Sequence, residues 1–254
     1  MKRSDLKAFL DEKAQHYEHP DFLTSDPIQV PHQFSQKEDI EIMAFLTASI
    51  AWGNRPSIIN SAEKMVNLME GNPYEFICHH QEKDRLRCNG FVHRTFNGED
   101  LAYFMKALQF IYTQKGGLEA VFTPYKNEKT LHRALHQFRT LFFSLTPQKR
   151  TQKHVADPLK GSAAKRLNMF LRWMVRPSQH GVDFGLWKQL NTAQLSCPLD
   201  VHSGNVARTL GMLDRKQNDH KAVVLLDSFL RKLDPHDPVK YDFALFGLGV
   251  FEKF

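Results

Sequence analysis

Between Gly161 and Leu213 the chain carries two sets of residues suited to chemistry. Lys165, Asn168, Arg172 and Arg176 follow one another at steps of three, four and four, which lines them along a single helical face. A row of cations suits a polyanion. Asp200 follows Pro198-Leu199 at the start of a second helix. A carboxylate there accepts backbone N–H hydrogen bonds and is favoured by the helix dipole. His132 and His136 lie one helical turn apart, the spacing of two metal ligands. No carboxylate or cysteine accompanies them at a matching distance, and His236-Asp237 lacks converging partners as well. The expectation is a solvated or nucleic-acid-facing histidine pair and no metal centre.

Apolar spacing marks the elements that must hold these residues. Leu167, Phe170, Leu171, Met174 and Val175 recur on one face of the helix that carries Lys165. Ser162 is placed to cap it and Pro177 to end it. Val206, Ala207 and Leu210 form the inner face of the helix after Asp200, which stops near Gly211. Further helices are expected over 4–17 with Ser4 as cap, 35–50, 57–69, 101–114, 118–122, 130–143 and 219–232. The 35–50 segment is apolar nearly all round, so it should be central. It ends in the turn Trp52-Gly53-Asn54-Arg55-Pro56. Residues 73–100 are mixed, with 91–96 either a short strand or a helix start. Asp237 and Pro238 open a last helix. The fold class is all-α, and the length allows one or two domains.

Lys plus Arg outnumber Asp plus Glu by 34 to 28, for a net charge of +6. The excess is local. Residues 126–176 hold twelve lysines and arginines against Glu128 and Asp157. This basic segment suits DNA, although a solvated helical surface has the same composition. Cys78, Cys88 and Cys197 show no paired spacing, as expected for free thiols in a reducing compartment. The chain lacks an apolar run long enough to span a membrane, and its start, MKRSDLKAFLDEK, is charged. A cytoplasmic protein with no membrane partner is expected.

The block Pro198-Leu199-Asp200-Val201-His202, followed by Arg208, resembles a segment of helix-hairpin-helix DNA glycosylases in which the Asp is catalytic and opens a helix. Lys165-Arg166-Leu167-Asn168 is similar to a segment of the archaeal 8-oxoguanine glycosylase branch whose lysine is the Schiff-base nucleophile. Asp242 and Phe246 resemble the Asp and aromatic of that branch's C-terminal helix, with Phe where those proteins have Trp. The whole chain also looks like a bacterial family of unassigned function, through the blocks KRLNMFLRWMVR, PLDVH and DPVKYDFALFGLG. The glycosylase likeness covers roughly 36–70, 160–213 and 234–250, about half the chain.

The resemblance implies a helix-hairpin-helix glycosylase-like fold with two helical subdomains, approximately 36–150 and 155–233, and a cleft between them. It places the terminal helices near the first subdomain. The activity it implies is base excision on DNA with an attached AP-lyase step, and oxidised purines as the substrate class. Under it, Lys165 attacks C1′ as a neutral amine and Asp200 supplies the anion beside it. Asp242, Phe246, Met169 and Trp52 border the extruded base. Asn54, Arg55, Arg166, Asn168, Arg172, Arg176 and His202 face DNA, with Arg172 and Arg176 on the cleft rim. No cofactor is needed, and three scattered cysteines do not make the four-Cys iron–sulfur site of some relatives. Two departures stand out. The relatives' wedge Gln is missing at Ser49-Ile50-Ala51-Trp52, where Trp52 suits a stacking position or a core one and Asn54 a hydrogen-bonding one. The phosphate-binding hairpin is replaced by Gln179 to Trp187 with its glycines spaced differently. A non-catalytic nucleic-acid-binding module of the same fold is the alternative.

Overall fold

Side-chain caps set many of the helix starts. In the computed structural model, which describes residues 2–177 and 180–254, twelve α-helices follow one another among the described residues. They are α1 (Arg3–Tyr17), α2 (Lys37–Ser49), α3 (Arg55–Leu68), α4 (Pro73–His79), α5 (Glu82–Arg85), α6 (Gly98–Gln114), α7 (Leu118–Phe122), α8 (His132–Phe142), α9 (Lys165–Val175), α10 (Val201–Thr209), α11 (His220–Leu233) and α12 (Tyr241–Val250). Asn54, Asn97, Asp200 and Asp219 cap α3, α6, α10 and α11 through their side-chain oxygens. Residues 91–96 resolve into a hairpin: β1 (Val92–His93) pairs antiparallel with β2 (Phe96–Asn97), and Arg94 takes φ 55° in the turn. The fold is all-α apart from this hairpin.

The chain divides into two compact units. The first gathers the segment up to Phe22, Tyr125–Arg133 and Asp157–Phe254. Leu10 of α1, Val206 and Ala207 of α10, Leu226 and Leu230 of α11 and Leu245 and Leu248 of α12 share its core. α1 and α12 approach closely because position 247 is glycine: a Cβ there would lie 2.1–2.4 Å from the Tyr17 ring. The terminal helices therefore belong to the same compact unit as α9–α11. Residues far apart in sequence supply one apolar surface.

The second unit comprises Leu23–Pro124 and Ala134–Ala156. Its centre is α2, buried from Ile40 to Ser49, in agreement with its all-round apolar sequence. Phe45 stacks on Phe104 and meets Phe138 and Phe142 edge-on at centroid distances of 5.4–5.8 Å. Rings in these offset and edge-on arrangements hold the unit together.

Candidate functional site

Asp200 stands immediately before α10 with its backbone extended. Its Oδ1 accepts from the Ser203 amide at 3.0 Å, while the Ser203 hydroxyl accepts from the Asp200 amide at 2.9 Å. This reciprocal cap fixes the carboxylate and leaves Oδ2 without a hydrogen bond among the described residues. Asn218 donates to the Asp200 carbonyl at 2.7 Å and is itself held by Arg208 at 2.5 Å. Arg208, part of the sequence block, thus supports the turn from behind.

Lys165 is the first residue of α9 and is half-buried. The chain enters α9 through Ala164 at φ 46°, and the Ser162 hydroxyl accepts from the Ala164 amide at 3.1 Å. Ser162 is therefore not the helix cap. Lys165 Nζ contacts Met169 Sδ at 3.5 Å, one turn on, and makes no ion pair among the described residues. Burial pushes the Asp242 carboxyl up to about 6; Arg172 opposes this, Asp200 adds to it and Lys165 opposes it. Lys165 at the start of α9 and Asp200 at the start of α10 thus both bear on the Asp242 carboxyl of α12. Phe246, a turn beyond Asp242, is half-buried and meets Phe22 edge-on at 6.1 Å.

The cationic line of α9 does not face outward along its length. Arg172 is 4% exposed and Arg176 3%. Arg172 donates to Asp183 at 3.2 Å and to Asp242. Arg176 donates to Asp183 at 3.2 Å, to Asp237 at 2.9 Å and to both oxygens of Glu18. Both guanidiniums lie over the Phe243 ring, at 4.3 and 5.4 Å. Neither can reach a phosphate, which corrects their expected place on a DNA-facing rim. Asn168 is also buried and donates to the Ala163 carbonyl at 3.0 Å, tying the entry of its own helix. Arg166 is half-buried, and burial lowers its guanidinium to about 10. His202 is exposed.

Asp183 and Glu18 carry no sequence signal of their own, and Asp237, expected as a cap, makes no cap hydrogen bond. The visible signal is Asp242 inside an apolar helix, since a buried carboxylate requires a partner. Of the replaced hairpin, Gln179 lies outside the described residues. Phe184 and Gly185 donate to the Trp173 carbonyl at 2.8 and 3.2 Å, and Trp187 donates to Met174 at 2.9 Å. Those amides serve α9 and are not presented to an anion.

The other expected site residues lie in the second unit. Trp52 is half-buried, edge-on to His93 at 5.3 Å and stacked on His154 at 5.9 Å. Asn54 is exposed and its side chain accepts from the Ser57 amide at 2.9 Å, so its first task is to cap α3. Arg55 begins that helix and is half-buried. In the 126–176 segment Arg139 donates to the Val155 carbonyl at 2.9 Å and Arg150 pairs with Asp100 at 3.1 Å, whereas Lys126, Lys129, Lys149, Lys153 and Lys160 are exposed. The arginines are largely structural and the lysines carry the surface charge. His132, expected in solvent or against DNA, is half-buried in the first unit and bonded to Ser196 and His220.

An all-α chain of two compact units is the class that the fold defines. The model of one family, described as a protein of unknown function (DUF2400), matches residues 26–251, and the chain belongs to that family. Comparisons with curated proteins and with solved structures gave no match. No helix among the described residues is long and apolar enough to cross a membrane.

Proposed function

We propose that this protein excises a damaged base from DNA and cleaves the strand through a lysine Schiff base. One observation supports the reading above the others: the reciprocal cap fixes the Asp200 carboxylate at the start of α10 and leaves Oδ2 without a hydrogen bond among the described residues. In this scheme the Lys165 amine attacks C1′ as the C1′–N bond to the base breaks, and the proton the amine sheds leaves on the base. The C1′–O4′ bond then opens, the remaining amine proton passing to O4′, to give the Schiff base, which next gives up a C2′ proton. Asp200, with Oδ2 open, stabilises the cationic character that develops at C1′. The resulting Schiff base loses the 3′ phosphate by β-elimination. The substrate class, an oxidised purine, comes from the glycosylase resemblance.

The test is borohydride trapping on duplexes containing 8-oxoguanine or an abasic site. The parent should form a covalent adduct, Lys165→Gln none, and Asp200→Asn an adduct slower by about 10²–10³. Salt-sensitive binding without base release, unchanged in both variants, would instead establish the non-catalytic binding module.

A further inference from the structure

Away from Lys165, the first unit contains a run of hydrogen bonds through residues that no sequence motif joins. His220 opens α11 and lines a groove of about 710 Å³ with Asp214, Lys216, Lys221, Val224 and Leu225. Its Nε2 lies 3.1 Å from Nδ1 of His132. His132 Nε2 lies 2.8 Å from the Ser196 hydroxyl. Ser196 is 4% exposed and precedes Cys197, whose amide donates to Asp227 Oδ1 at 2.9 Å. The Ser196 side chain lies close enough to act on the Asp227 carboxyl, whose Oδ2 is buried without a hydrogen bond and is free to accept one.

We propose that His220, His132 and Ser196 form a proton path from the groove at the start of α11 to the buried carboxyl of Asp227. The direction of each bond follows from counting hydrogens. An ionised carboxylate only accepts, so the single Ser196 hydrogen points to Asp227. Ser196 Oγ then accepts from His132 Nε2–H, His132 Nδ1 accepts from His220 Nε2–H, and both neutral rings carry their proton on Nε2. His220 Nδ1 has no hydrogen bond among the described residues and is the entry point. A proton arriving there releases the Nε2 proton of His220 to His132 Nδ1. His132 releases its Nε2 proton to Ser196, and Ser196 releases its own to Asp227. Asp227 ends neutral, both rings end protonated on Nδ1, and every hydrogen bond in the chain has reversed.

The surroundings favour that outcome over a trapped imidazolium. Burial, ahead of the charges of His220 and Arg231, lowers His132 to about 4. Burial pushes Asp227 up to about 6 against the opposing influence of Ser196, the Cys197 amide and Arg231. Asp227, Asp242 and Asp200 all face the Cys197 thiol, which burial first and then these carboxylates hold well above its usual range. Neutralising Asp227 removes one of those charges at Cys197, three residues before Asp200. The path does not depend on the base-excision reading.

Long-range ¹H–¹⁵N correlation on the full chain with labelled histidines tests it. At pH 7.5 both rings should show a protonated Nε2 and a bare Nδ1. On acidification to pH 5 the two assignments should interchange together in both rings, and His132 should show no imidazolium signal. Asp227→Asn should hold both rings in the Nε2–H form across that range. Ser196→Ala, which removes only a hydroxyl, should uncouple the rings from Asp227 and abolish the joint interchange. A bare Nε2 at pH 7.5, independent uptake of a second proton by His132, or an interchange that survives Ser196→Ala would each overturn the path.

Discussion

Arg172 on α9 and Asp242 on α12 form a buried ion pair across 70 positions of sequence. The pair is one edge of a cluster in which two arginines meet Glu18, Asp183, Asp237 and Asp242. Removing Asp242 takes from the buried Arg172 one of its two carboxylate partners, whereas replacing both with apolar groups removes the desolvation cost together with the attraction. Asp242→Leu should therefore destabilise the protein by about 3–5 kcal/mol, and Arg172→Met with Asp242→Leu by clearly less than the sum of Arg172→Met and Asp242→Leu made singly. Urea unfolding of the four proteins checks this; additive losses would show that the two side chains are not coupled.

Asp200 has two separable tasks, capping α10 and presenting a charge. Asn caps about as well as Asp, and Ala does not. Asp200→Asn should keep the stability of the parent while losing the rate of adduct formation. Asp200→Ala should lose that rate and a further ~1 kcal/mol of stability. Thermal unfolding beside borohydride trapping separates the tasks; equal trapping by parent and Asp200→Asn would leave Asp200 with the cap alone.

Gly247 faces the Tyr17 ring so closely that an added Cβ overlaps ring carbons at 2.1–2.4 Å. Tyr17 is held on its other side by stacking on Phe251 at 5.6 Å and by a hydrogen bond from its hydroxyl to Glu252 at 2.5 Å. The ring cannot yield without losing both contacts. Gly247→Ala should cost about 1–3 kcal/mol despite the better helix propensity of alanine. The double change Gly247→Ala with Tyr17→Ala should recover part of that loss in denaturant unfolding, because the obstruction goes with the ring.

Much of the helical frame is legible in the sequence because its signals are local. The apolar segment 35–50 is α2, and 219–232 matches α11 within a residue at each end. The Asp200 cap is readable because the carboxylate and the amides it binds lie within one turn. The partners of Arg172 and Arg176 are not, since periodicity separates one helical line from another but does not distinguish solvent from a distant buried acid. Glu18 lies 158 positions from Arg176. His132 fails in the same way: its spacing from His136 is visible, whereas its contact is with His220, 88 positions on. α4 and the β1–β2 hairpin escape because short elements offer too few residues for either period to show.

His132 and Asp227, two members of the proposed proton path, should give opposite pH slopes to stability. Asp227 titrates at about 6 in the folded protein against an ordinary 3.8, so it contributes stability that is complete below 3.8 and lost as pH rises through 6. His132 titrates at about 4 against an ordinary 6.5, so its contribution is complete above 6.5 and lost as pH falls through 4. Each shift corresponds to about 3 kcal/mol at roughly 1.4 kcal/mol per unit. Between pH 6 and 4 the two effects oppose one another. Relative to the parent, Asp227→Asn should lose stability on acidification over that range, because only the His132 slope remains of the two. His132→Asn should gain stability over the same range for the converse reason. Urea midpoints at pH 4, 5, 6 and 7 measure both differences, and subtracting the parent cancels the buried carboxylates common to all three proteins. Parallel curves for the two variants would mean that neither group carries its shifted proton affinity in the folded state.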